Sequence, residues 1–397
     1  MKAVRIFLIS VLAAAMLTSC GARVGEHTSD DFAAATKSAA VNEQSESDEE
    51  IINEKIASMS LYEKVWQMFL VAPEDIIDIG AAVVAGERTI EAINTYPVGG
   101  FIYFSKNIET REQTMAMIDG MQSHSKIPLF IAVDEEGGRI ARLGDADVGV
   151  TKFPPMAEIG AEGNTDRAYE IGATLGRELK GMGFNVDFAP VADTITVENN
   201  DDIGDRSFGD DPNLVAQMVS AEVSGMQSQN LCSTLKHFPS NGSTETNTHY
   251  AEGVCTRTLE EMRSTEFIPF RAGIDAGVDM VMVAHMAVPD IVGDTTPSTF
   301  SAIVVNDLLR SELGFFGVVV SDALNMGAIT SKYSPEEAAI AAVNAGVDIL
   351  LMSPDAPAAA EAVIGAVNSG EIPESRIDES VRRIFALKLK RGIMVTD

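Results

Sequence analysis

Apolar residues recur along the chain as short, nearly unbroken runs, separated by longer stretches in which they return every three or four positions. The runs cover residues 65–71, 99–104, 129–133, 186–191, 232–235, 280–283, 318–320 and 347–352. Runs of Val, Ile, Leu and Phe without polar alternation predict strands covered on both faces, as in a parallel sheet flanked by helices. Between them, residues 166–182, 213–229, 259–276 and 336–344 show the helical spacing, and glycines stand near their ends as stop signals. Eight strand-like runs alternating with helices predict an α/β fold, a (β/α)8 TIM-type barrel built as a single domain over residues 51–397.

The first fifty residues follow another pattern. Lys2 and Arg5 precede an apolar run from Ile6 to Leu17, broken by Ser10, that is too short for a permanent membrane span and fits a secretory segment. Leu17-Thr18-Ser19-Cys20 resembles the bacterial lipoprotein signal. That resemblance implies a signal peptide over residues 1–19, lipidation of Cys20, and an extracytoplasmic protein anchored by its acyl chains to the bacterial cell membrane. Residues 20–50 are rich in Ala, Ser, Thr, Glu and Asp and bury too little apolar surface to fold, which predicts a disordered acidic tether.

Charge and cysteine content narrow the partners. With 29 Lys and Arg against 59 Asp and Glu, the formal net charge of −30 excludes a polyphosphate partner, so nucleic acid is not expected. Three cysteines without a CxxC pair exclude a disulfide scaffold and a zinc site; no metal-ligand spacing is present and no cofactor is expected. Cys232 reads as a core thiol, with a bridge to Cys255 left open. Trp66 lies in an apolar run and reads as core, not as a stacking platform.

The candidate chemistry lies just after the runs. Asp134, Asp193, Lys236 with His237, His285 and Asp322 each stand where a predicted strand ends. In a parallel barrel those ends share one mouth, where active sites are built. Each residue alone also reads as a surface or capping residue, and five such positions together favour a site. Asp193 and His285 read as supporting or packing residues.

Val133-Asp134-Glu135-Glu136-Gly137-Gly138-Arg139-Ile140-Ala141-Arg142, Asp187-Phe188-Ala189-Pro190-Val191-Ala192-Asp193, Arg206-Ser207-Phe208-Gly209, Lys236-His237-Phe238-Pro239 and Val320-Ser321-Asp322-Ala323-Leu324-Asn325-Met326 follow one another in an order that resembles glycoside hydrolase family 3. The branch is the single-barrel β-N-acetylhexosaminidases. The resemblance implies Asp322 as the nucleophile of a retaining glycosidase, which traps the sugar as a covalent glycosyl-enzyme. It implies Asp134, Arg142, Arg206, Lys236 and His237 as sugar-binding residues, and charged acceptors and donors of this kind suit hydroxyl recognition. Salt bridging among these residues is the alternative reading of the same charges.

In that branch the loop after Lys-His-Phe-Pro carries an Asp-x-His, whose His serves as general acid/base and whose Asp orients and charges it. This chain keeps His249 at the expected spacing but has Asn247 in place of the Asp, and an amide cannot stabilise an imidazolium. The resemblance therefore implies His249 as acid/base, with Glu245 or Glu252 as candidate sources of the missing charge. The expected activity is hydrolysis of terminal β-linked N-acetylglucosamine from glycans or peptidoglycan fragments, the partner being a carbohydrate β-N-acetylglucosaminide. Two other readings stay open. One is a lipid-anchored carbohydrate-binding protein without turnover, suggested by Asn247 and Ser240-Asn241. The other is a family member acting on a glucoside or xyloside, or transferring the sugar to phosphate.

Overall fold

A computed structural model describes residues 47–77 and 79–395. The positions of the secretory run, Cys20 and most of the predicted tether lie outside the described residues. Each apolar run supplies one parallel strand: β1 (Phe69–Val71), β2 (Gly100–Ile102), β3 (Phe130–Val133), β4 (Val186–Asp187), β5 (Cys232–Phe238), β6 (Met280–Val283), β7 (Val318–Ser321) and β8 (Leu350–Leu351). They pair in chain order, and β8 returns to β1 through Phe69 opposite Leu350. The ring closes between β7 and β8, where Val320 bridges Ile349 and the Ser321 N–H donates to the Ile349 carbonyl at 2.9 Å. Closure leaves no free sheet edge, and every residue of these eight strands is buried, as the unbroken apolar runs require. The (β/α)8 barrel is the fold.

Helices wrap the ring, among them Thr165–Lys180, Pro212–Ser228, Pro335–Ala345 and Glu374–Lys390. Two segments differ from the sequence pattern. Residues 65–67 belong to the helix Leu61–Gln67, not to a strand, because Ser60 and Glu63 form a reciprocal capping box that starts a helix there. The stretch 259–276 is two helices, Leu259–Ser264 and Phe267–Asp275. Pro269 has no N–H for the carbonyl of Thr265 and its ring would clash with it, so the first helix stops before that residue.

Residues 47–50 are already helical, ahead of position 51. Ile52 and Ile56 are buried in the core, and Glu49 is 3.2 Å from Arg382, which carries the helix back beyond the apolar positions. Trp66 is buried against Phe69 and Tyr96, as a core residue. Cys232 and Cys255 are both buried free thiols, so no bridge joins them. No helix among the described residues is long and apolar enough to cross a membrane.

Candidate active site

The polar residues that follow the strands meet above the C-terminal rim of the barrel. After β3 the chain passes Asp134 and turns back in a short antiparallel ribbon, Glu135–Gly137 against Ile140–Ala141. Gly137 and Gly138 make that turn with φ of +92° and +56°, a region that disfavours other residues. The ribbon buries Glu136 at 2% exposure, where a lone carboxylate would be costly, and two cations answer it. Lys236 of β5 places Nζ 2.5 Å from Glu136 Oε1 and 2.7 Å from Asp134 Oδ1. Arg206, from the turn Gly204–Arg206, donates two bonds to Glu136, Nε to Oε2 at 2.8 Å and Nη2 to Oε1 at 2.9 Å. Burial alone would raise the Glu136 carboxyl, but Arg206 and Lys236 override it and hold that group far below its ordinary value. Burial likewise opposes the Lys236 charge, and Asp134 and Glu136 outweigh it.

This network leaves Asp134 partly open to the cleft, with Arg142 Nη2 3.8 Å from its Oδ2. The Arg142 guanidinium also lies 5.6 Å from the centre of the Phe104 ring. Glu135 turns away from the cations and accepts the Leu143 and Gly144 N–H groups at 2.8 and 2.9 Å; burial raises its carboxyl to about 7 despite those bonds.

Asp322 follows β7 directly. Its backbone N–H donates to the Val283 carbonyl at 2.9 Å, and its Oδ1 accepts the Ala323 N–H at 2.7 Å. His285 is fully buried below, with Nε2 2.9 Å from the Ala323 carbonyl and Nδ1 3.0 Å from Thr299 Oγ1, and so fixes the backbone beside Asp322. Burial by itself would raise the Asp322 carboxyl. His237, His285, the Ala323 N–H and His249 together bring it below the ordinary aspartate value, so it is ionised at neutral pH. His237 is held by Asp193, whose Oδ2 is 2.7 Å from Nδ1 and accepts the His237 backbone N–H at 3.2 Å. The other Asp193 oxygen takes the Asn241 N–H at 2.6 Å. His237 Nε2 faces Arg206 Nη2 at 3.5 Å, and a guanidinium can only donate.

His249 stands on the loop after β5, with its side chain 57% exposed. Asn247 does not reach the ring: its Oδ1 accepts the His249 backbone N–H at 2.9 Å, an Asx turn. Neither candidate glutamate forms an ion pair with the ring among the described residues. Glu252 is taken by Lys332 at 2.5 Å and Glu245 is exposed. The carboxylate that comes within 4.0 Å of His249 Nε2 is Asp202. The loop itself is docked on the segment after Asp322, where the His249 carbonyl accepts the Gly327 N–H at 3.0 Å and the Thr248 carbonyl accepts that of Ala328 at 3.3 Å.

All seven residues expected at the site, Asp134, Arg142, Arg206, Lys236, His237, His249 and Asp322, line one cleft at the strand ends. Phe104, Phe188, Met282 and Met326 give it apolar walls. Glu136 and Asp202 also line it and were not anticipated from sequence. Glu136 left a signal, the third carboxylate in a row between a buried strand and a glycine turn, but its cations come from distant segments. Asp202 lies in a polar stretch without periodicity and left none. Among the described residues no group of three or more His, Cys, Asp or Glu is arranged to hold a metal ion.

Residues 52–387 match the glycosyl hydrolase family 3 N terminal domain. The chain belongs to glycoside hydrolase family 3. Its relatives within the family include beta-hexosaminidase A of Pseudoalteromonas piscicida, 31% identical over 76% of this chain and 54% of that protein. A beta-hexosaminidase of Nitrosomonas eutropha is 34% identical over 76% of this chain and 88% of its own length. Among solved structures, the family 3 beta-N-acetylglucosaminidase from Paenibacillus sp. str. FPU-7 superposes with a TM-score of 0.80 at 36% identity, over 86% of this chain and 64% of that one. The chain thus spans little more than half of the Pseudoalteromonas protein and somewhat under two thirds of the Paenibacillus chain, but most of the Nitrosomonas relative. In this family 3 barrel, Asp322, His249 and the Asp134–Lys236–Glu136–Arg206 network stand around one cleft at the strand ends.

Proposed function

We propose that the protein is a retaining β-N-acetylhexosaminidase that hydrolyses terminal β-linked N-acetylglucosamine from glycans or peptidoglycan fragments. The observation that carries this reading is the ionised Asp322 carboxylate at the end of β7, sharing its cleft with His249. Asp322 attacks the anomeric carbon as the glycosidic C–O bond breaks, and the leaving oxygen takes a proton from the His249 imidazolium. Water then attacks the glycosyl-Asp322 ester, His249 takes back a proton, and the carboxylate is freed. Asp134 and Arg142, which retain bonding capacity toward the cleft, bind ring hydroxyls, and Lys236, Arg206 and His237 back them. The lipoprotein-like Leu17-Thr18-Ser19-Cys20 supports an extracytoplasmic protein held at the membrane by lipid on Cys20.

Release of nitrophenol from its β-N-acetylglucosaminide, with and without phosphate, tests the reading, beside Asp322→Asn. Turnover should be independent of phosphate and fall by about 10³-fold or more in the variant. Binding of N-acetylglucosamine without turnover of this glycoside, the glucoside or the xyloside would reject it in favour of a carbohydrate-binding protein.

A further inference from the structure

We propose that Asp202 is the positioning residue of the acid/base: it orients the His249 imidazole and supports its charge, the task for which Asn247 is unsuited. The inference rests on the reading of His249 as the proton donor. A histidine that gives up and regains a proton works best with a carboxylate on its other nitrogen, which fixes the ring and stabilises the imidazolium. Asn247 fails on both counts, since its carboxamide is neutral and its oxygen is spent on the His249 backbone N–H. Asp202 comes from a different segment, the stretch between β4 and the helix Pro212–Ser228, and sets Oδ1 4.0 Å from His249 Nε2. That separation is longer than a hydrogen bond, as is common before substrate arrives, and is short enough for the charge to act. With Nε2 facing Asp202, Nδ1 is the nitrogen that delivers the proton.

The placement of Asp202 is built, not incidental. Its side chain is 9% exposed. Its backbone carbonyl accepts bonds from Arg139 Nη2 and, at 3.2 Å, from Arg206 Nη1. Two residues earlier, Asn200 donates to the Asn241 and Thr244 carbonyls at 2.6 and 2.9 Å while its Oδ1 accepts the Ile203 N–H at 2.7 Å. This clamp ties the Asp202 segment to the segment that leads to His249. Arg206 Nη1 lies 3.6 Å from Asp202 Oδ1, but its paired donors are committed to Glu136, so the Asp202 carboxylate keeps capacity for the imidazole. The other titratable groups around His249 are Asp322 across the cleft, His237 and His285 below it, Glu245 on its own loop, and Glu252 of that loop paired with Lys332 from beyond the helix Gly327–Thr330.

The test compares the full-length chain with Asp202→Asn on two substrates, nitrophenyl β-N-acetylglucosaminide and a β-linked N-acetylglucosamine disaccharide whose leaving alcohol needs protonation. In Asp202→Asn, kcat on the disaccharide should fall by about 10²-fold or more and on the nitrophenyl glycoside by under about tenfold. KM should change less than about threefold, and the alkaline limb of the pH–rate profile should move to lower pH. The same substitution in a His249→Ala background should have no further effect, and Asp202→Asn with Asn247→Asp should regain most of the disaccharide activity. A parent-like kcat and pH profile in Asp202→Asn would overturn the inference and leave the proposed function standing. Equal losses on both substrates with a raised KM would also overturn it, by marking Asp202 as a mere support for Arg206. Absence of turnover in the parent itself would reject the proposed function, and this inference with it.

Discussion

Glu136 carries more of the site than its position in the sequence suggests. It is the shared counter-ion of Lys236 and Arg206, all three nearly out of solvent, so removing its charge strands two buried cations. Breaking such a network costs about 3–5 kcal/mol, whereas an exposed pair contributes under about 1 kcal/mol. Glu136→Gln should therefore lower the urea midpoint at pH 7 and release Lys236 onto Asp134 alone, reducing turnover as well. Because the folded carboxyl lies below its ordinary value of 4.5, its contribution is complete above that pH and is lost as pH falls toward the folded value. The gap between parent and variant should shrink in urea titrations below about pH 4; a gap that stayed constant down to pH 3 would contradict this electrostatic account. At this scale the sequence was readable where chemistry abuts an apolar run. Asp134 and Asp322 directly follow their strands, and Lys236 follows the apolar run 232–235 while lying within β5, so the ends of the apolar runs located them. The role of Glu136 was hidden because its cations come from distant segments, and Asp202 was invisible because a clamped loop without a periodic trace positions it.

At the scale of elements, the loop bearing His249 is positioned by three independent contacts. Ser243 Oγ donates to the buried Glu266 at 2.6 Å, Asn200 holds the Asn241 and Thr244 carbonyls, and the loop rests on the short helix Gly327–Thr330 that follows Asp322. The last contact depends on a missing side chain. A Cβ at Gly327 would stand 2.7 Å from the Tyr250 carbonyl oxygen and 2.9 Å from that of His249, against backbone that cannot swing aside as a side-chain tip would. Gly327→Ala should push His249 away from Asp322, and a displacement near 1 Å costs about 10²-fold in rate. The expected outcome is a large drop in kcat with a melting temperature close to that of the parent. A variant with the parent's kcat would show that the loop does not need this docking. Elements were legible from sequence where burial alone decides them, which is why all eight runs hold strands. The helix at residues 65–67 and the break at Thr265 were decided instead by a capping box and by one proline, local signals that an apolar pattern averages away.

Across the whole molecule the two ends of the barrel divide the work. The C-terminal rim gathers the charges around the cleft, and the opposite end gathers a second set that touches none of them. There Asp348, just before β8, accepts Arg310 Nη2 at 2.7 Å, Arg383 Nη1 at 3.0 Å, Ser380 Oγ at 2.7 Å and the Val319 N–H at 3.0 Å. Asp279, just before β6, is bound by Arg391 and Lys390 at 2.9 Å. Both carboxylates thereby latch the C-terminal part of the chain across the foot of the barrel. Burial would raise the Asp348 carboxyl, but Arg310, Arg383 and Arg376 bring it below its ordinary value of 3.8. Its contribution is then present above that pH and disappears as pH falls through the lower folded value, so acid should loosen this end. Asp348→Asn keeps the shape and removes the charge that three arginines share, and should cost about 3–5 kcal/mol in unfolding at pH 7. Glycosidase kcat/KM at 25 °C should stay within about twofold of the parent, because stability and chemistry are seated at opposite ends of such a barrel. Equal losses of stability and of kcat/KM in the folded fraction would mean that the two ends are coupled through the strands.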